Sequence, residues 1–153
     1  MRALFIGLSL LAVVGPSACT PKVAEKAGAV AKTAPTRVIR FGSGGGFTGA
    51  VTTYALTNDG VFTRRASAPR DTAESVVRLP SPSAEEVIQS FRKFDALPPD
   101  SLQFEQPGNI YYFLNGRTLA GRPVQLTWGY PGATISPAAR ALYYELMALA
   151  PHG

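Results

Sequence analysis

Arg37-Val-Ile-Arg-Phe-Gly-Ser-Gly-Gly-Gly-Phe-Thr-Gly-Ala-Val-Thr-Thr-Tyr-Ala-Leu56 decides the fold. Glycines after a strand can open two structures. If a helix follows, Gly44, Gly46 and Gly49 make a Gly-x-Gly-x-x-Gly turn, and the helix N-terminus holds a pyrophosphate. If a strand follows, the same glycines belong to an antiparallel sheet. Val51, Thr52, Thr53 and Tyr54 are β-branched or aromatic and favour the strand. The stretch therefore reads as strand, glycine loop, strand, and nucleotide binding is set aside.

Downstream, Asn58-Asp59-Gly60 is a hairpin turn, because Asn and Gly tolerate positive φ. Val61 to Arg65 returns as a third strand, and Ser75 to Leu79 reads as a short further one. A helix starts near Ser83, which has capping-box spacing to Glu86. Val87, Ile88, Phe91 and Phe94 form its apolar face, and Leu97-Pro98-Pro99 ends it. Asn109 to Asn115 and Pro123 to Trp128 are two more strands around a turn. Ser136-Pro137 opens the last helix, with Ala138, Leu142, Leu146 and Leu149 as its stripe and Tyr143 and Met147 widening it. The order β-β-β-α-β-β-α predicts an α+β domain. It has a small antiparallel sheet of four to six strands and two helices packed on one face.

Upstream the composition changes. Met1-Arg2 precedes a run of apolar or small residues from Leu4 to Val14, shorter than the ~20 residues of a membrane span and suited to a signal peptide. Gly15-Pro16 breaks it, Ser17-Ala18 are small, and Cys19 follows. Thr20 to Thr36 is rich in Ala, Lys, Thr and Pro, with no aromatic residue, Leu or Ile, and cannot bury a core. The chain thus divides into a signal peptide over 1–18, Cys19 and a tether over 19–36, and one domain over 37–153. The Ser17-Ala18-Cys19 junction resembles the lipobox of bacterial lipoproteins, although Pro16 stands where an aliphatic residue is usual. That resemblance implies a diacylated Cys19 and a membrane anchor through it. It further implies an exported protein on the outer membrane, facing the periplasm or cell surface. The alternative is an ordinary signal peptide with Cys19 as a bystander, an unpaired thiol in an oxidising compartment.

Most chemistry can be set aside from the inventory. The 153 residues include one Cys and one His, too few for a structural zinc site, and no acidic cluster suggests another metal. His152 is penultimate and Lys93 is the only lysine in the domain, so neither a Ser-His-Asp nor a Ser-Lys arrangement is served. Asp71 and Glu74 could pair for glycoside chemistry, but in a loop they read as solvated charge. Ten Arg and one Lys against nine acids leave the domain at only +2, which argues against nucleic acid. Arg64, Arg65, Arg70 and Arg78 form a local basic run that could meet an anionic surface. The expectation is a monomeric, non-enzymatic binding protein without cofactor or metal.

Two segments remain as candidate partner-binding sites. One is Ser43, Gly44, Gly45, Gly46, Phe47 and Thr48, a glycine loop with an aromatic beside it. The other is Trp128 and Tyr130 in Trp128-Gly-Tyr-Pro-Gly132, where Trp128 either finishes the core or contacts a partner. Phe41-Gly-Ser-Gly-Gly-Gly-Phe-Thr-Gly49 resembles the Arg-Ser-Gly-Gly-Phe-Ala-Gly signature of the emfourin family, protein inhibitors of thermolysin-like metalloproteases. The element order is similar, and Phe94-Asp-Ala-Leu-Pro98 matches that family's helix end. Gly42 replaces the signature Arg, one Gly is extra, and the third strand with its Arg-rich loop looks like an insertion relative to that family. The resemblance implies inhibition through Ser43 to Thr48, with Phe47 offered to a protease's primed-side pocket. The competing expectation is a structural envelope lipoprotein that contacts glycan or another envelope protein.

Overall fold

The computed structural model describes residues 36–67 and 75–151. Cys19, the leader and the tether up to residue 35 lie outside the described residues, as do Arg70, Asp71, Glu74 and His152. The strands are β1 (Val38–Gly45), β2 (Ala50–Thr57), β3 (Phe62–Ser67), β4 (Ser75–Arg78), β5 (Gln103–Gln106), β6 (Ile110–Arg117) and β7 (Pro123–Trp128). They form one sheet in the order β4-β3-β2-β1-β6-β7-β5. All neighbours are antiparallel except β5, which runs parallel to β7. The helices α1 (Ala84–Asp95) and α2 (Pro137–Ala148) contribute to one core with one face of the sheet. This is the α+β arrangement expected, with a seventh strand beyond the four to six.

The extra strand is β5. Its four residues, Gln103 to Gln106, are too short and polar to show a period. It lies outside β7 although β6 follows it in sequence, so β7 slots between two strands that a three-residue link joins. That link crosses β7 at its end. A Cβ on Gly108 would stand 2.4 Å from the Gly129 carbonyl oxygen, so the crossing needs glycine there.

Alternation along the strands fixes which face is covered. Ile39 and Phe41 of β1, Leu56, Phe62, Leu114, Val124 and Leu126 point to the helices and are buried. Val87, Phe91 and Phe94 of α1 and Ala139, Leu142, Tyr143 and Leu146 of α2 meet them. Two helical expectations shift. Ile88 is 52% exposed, because the α1 stripe runs through Val87, Ser90, Phe91 and Phe94. Ala138 is exposed and Ala139 takes the core position, in step with Leu142, Tyr143 and Leu146.

Both helix starts are as the sequence reads. Ser83 and Glu86 form the reciprocal capping box, and the Ser83 hydrogen bonds hold the Glu86 carboxyl below its ordinary pKa. The Ser136 hydroxyl accepts from the Ala139 amide with Pro137 at the first helical position. At the end of α1, Asp95 gathers three parts of the chain. Arg37 donates to both its oxygens at 2.9 and 3.1 Å, and the Leu119 amide donates at 2.7 Å. The Arg37 guanidinium also lies 4.9 Å from the Phe91 ring centre.

The glycine stretch differs most from expectation. Gly42, Ser43, Gly44 and Gly45 are not a loop; they are the second half of β1, paired to β2 on one side and β6 on the other. Only Gly46 to Gly49 connects. The reason is on the uncovered face. Gly42 is paired with Phe113 and Gly44 with Tyr111, and those rings lie across the bare backbone. A Cβ on Gly44 would meet the Tyr111 hydroxyl oxygen at 2.6 Å. One on Gly42 would stand 2.0 Å from the Thr52 carbonyl oxygen and 3.1 Å from Cζ of Phe113. Glycine here makes room for aromatic rings rather than for a ligand.

Gly42→Ala should therefore destabilise the protein by about 3 kcal/mol or more, since backbone as well as a ring must move. Gly132→Ala, where nothing lies within 4 Å, should cost only about 1 kcal/mol through its positive φ. Urea unfolding of the two variants beside the native chain measures both.

Candidate functional site

Three connections meet at the end of the sheet where β1 finishes: 46–49, 107–109 and the segment after Trp128. Backbone hydrogen bonds lace them together. The Gly46 amide donates to the Asn109 carbonyl at 2.6 Å, and the Tyr130 amide donates to the Gln106 carbonyl at 3.1 Å. The two segments singled out in the sequence thus share one end of the sheet, with 107–110 between them.

The first connection is a tight turn. The Gly49 amide donates to the Gly46 carbonyl at 3.2 Å, and both glycines have positive φ, +73° and +63°. Phe47 and Thr48 occupy the two central places and are exposed, Phe47 fully so. Ser43, Gly44 and Gly45 are placed differently. Their backbone groups are committed to the ladders on both sides, so they cannot pair with a partner as a free loop would. Of the six residues expected from Ser43 to Thr48, the tip residues Phe47 and Thr48 stand out from the sheet.

Trp128 is the last residue of β7 and is 7% exposed. Its ring meets Tyr143 edge-on at 4.9 Å and Tyr112 at 5.9 Å. It finishes the core, and Tyr130 is the aromatic of that segment left at the surface. Tyr143 is anchored beneath: its hydroxyl donates to the Gly42 carbonyl at 3.2 Å. Burial, with the neighbouring Tyr112, Tyr144 and Tyr54, pushes its pKa well above the ordinary 10.0.

The structure adds Ile110, Tyr112 and Tyr144, which the sequence reading passed over. Ile110 and Tyr112 alternate on the helix side of β6 and are 55% and 40% exposed. Ile110 lies beside the turn, its Cγ1 3.9 Å from a Cβ placed on Gly46. Tyr144 is exposed next to Tyr143. The signal was present in the alternation of Ile110, Tyr112 and Leu114: Leu114 reaches the core, and the first two sit where helix cover ends. Together Phe47, Ile110, Tyr112, Tyr130 and Tyr144 offer apolar surface for binding. Among the described residues no group of three or more His, Cys, Asp or Glu converges.

The described members of the basic run, Arg64, Arg65 and Arg78, do not share one face of the sheet. Arg64 shares a row with Tyr54 and Phe41 on the helix side, while Arg65 and Arg78 lie on the other side.

Phe47→Ala should leave stability within about 0.5 kcal/mol of native, as for any exposed side chain. Trp128→Ala should cost about 3–5 kcal/mol by emptying the space between Tyr112 and Tyr143. Thermal and chemical unfolding separate the two roles. No family model matches this chain, and neither does a curated protein or a solved structure.

Proposed function

We propose that this chain is a non-enzymatic, membrane-anchored envelope lipoprotein whose domain binds a protein partner through Phe47 and the apolar end around it. The partner class is a thermolysin-like metalloprotease, following the resemblance of Phe41 to Gly49 to the emfourin signature. The observation that carries this reading is Phe47, a fully exposed aromatic at the tip of a turn closed by the Gly49–Gly46 hydrogen bond and braced by Gly46 to Asn109. A braced turn loses little conformational entropy on docking, so most of the gain from burying the ring is kept. That burial is worth about 1.5–3 kcal/mol. The anchor rests on Ser17-Ala18-Cys19, and the tether from Thr20 gives the domain reach.

Titrating the full chain, in a mild non-ionic detergent, against a thermolysin-like protease tests the partner. Stoichiometric inhibition is expected, with Phe47→Ala about tenfold weaker or worse. No inhibition at micromolar protein rejects the inhibitor role. Cys19→Ala should move the protein from the membrane to the soluble fraction on cell fractionation. Retention of the variant in the membrane would reject the lipid anchor.

A further inference from the structure

Helices cover one face of the sheet; the other is open and polar. Side chains directly opposed across a ladder share a face. Arg78, Thr63, Ala55, Arg40, Asn115 and Gln125 therefore make one continuous row across β4, β3, β2, β1, β6 and β7. At a strand spacing of about 4.8 Å the row runs about 24 Å. It contains two guanidinium groups, one hydroxyl, two amides, the alanine methyl and no carboxylate.

The row is also shaped. A groove of about 460 Å³ lies over Thr53, Ala55 and Thr63, with Arg40, Asn115 and Phe113 among its lining on one side and Arg65 and Val76 on the other. Small residues on β2 between long ones on β1 and β3 produce it. A second groove, of about 600 Å³, starts at the same Arg40 and Asn115 and continues towards Arg117 and Gln125. Neither is lined by an acidic residue. Arg40 stands where the two join. Its side chain is exposed and has no ion-pair or hydrogen-bond partner among the described residues. Beside it, half-buried Asn115 lines both grooves.

We infer that this open face is a docking surface for an acidic polysaccharide chain, with Arg40 at its centre. The chemistry selects the class. Two guanidinium groups with a hydroxyl between them and amides beyond Arg40 match a chain whose anionic groups are separated by sugar hydroxyls. A protein partner would ask for a central apolar anchor, and Phe113 is buried over Gly42 instead of presented. Single-stranded nucleic acid would ask for exposed rings to stack on. The length of the joined grooves suits several consecutive sugars. The surface is distinct from Phe47 and stands or falls separately.

The test is binding of the full chain, in non-ionic detergent, to polygalacturonate, with neutral dextran and polyglutamate as comparison polymers. Polygalacturonate should bind, dextran should not, and polyglutamate should bind more weakly. Arg40→Gln should weaken polygalacturonate about fivefold or more, the loss of one charge-assisted contact. Arg64→Gln removes the same charge from the opposite face and should leave binding unchanged, as should Phe47→Ala. Thermal melts establish that both arginine variants are folded. Absence of binding, equal binding of polyglutamate, or equal weakening by the two arginine variants would overturn the inference, the last by reducing it to net charge.

Discussion

Strand β1 is fully committed. Its two edges pair with β2 and β6, its covered face supplies Ile39 and Phe41 to the core, and its open face carries two rings from β6. Phe113 across Gly42 and Tyr111 across Gly44 set the register of β6, because a shift by one residue would turn both rings to the covered face and Leu114 out of the core. Tyr143 then reads the same place from the other side, through its bond to the Gly42 carbonyl. One residue without a side chain thus aligns a ring above and a helix below. The glycines cost conformational entropy in a strand, and that cost is offset by packing no side chain there would allow.

From this strand the two surfaces follow. The turn after Gly45 starts where both ladders of β1 end, is tied to Asn109 through Gly46, and presents Phe47 at its tip. The open face inherits its groove from the small residues of β2 beside the long ones of β1 and β3. Asp95 secures the opposite end, where it joins the first residues of the domain to α1 and to the turn before β7. Each surface therefore rests on elements the core has already fixed.

Much of the fold was legible because its periods are clean. The capping box at Ser83, the Pro137 helix start and the alternation through Ile39 and Phe41 each point one way. Two features were not. Gln103 to Gln106 becomes a strand only because β7 supplies a partner, a tertiary fact absent from its own composition. The glycines of β1 read as a loop because the rings that explain them are some seventy residues away in sequence. For the candidate site, Phe47 and Tyr130 were legible as aromatics beside glycines. Ile110 and Tyr144 were not, since their exposure depends on where helix cover stops.

The placement of β7 between β5 and β6 also sets an order of events. β5 emerges from synthesis before both β6 and β7, yet β7 is its strand neighbour. It cannot pair until the later strand has arrived and filled the gap. The 107–109 link must meanwhile hold β5 and β6 two strand widths apart instead of letting them close as a hairpin. Premature closure of that hairpin would take the edge of β6 that β7 needs. The glycine-lined crossing at Gly108 and Gly129 is thus a point where a nascent chain can misfold, and where its correct topology is decided late.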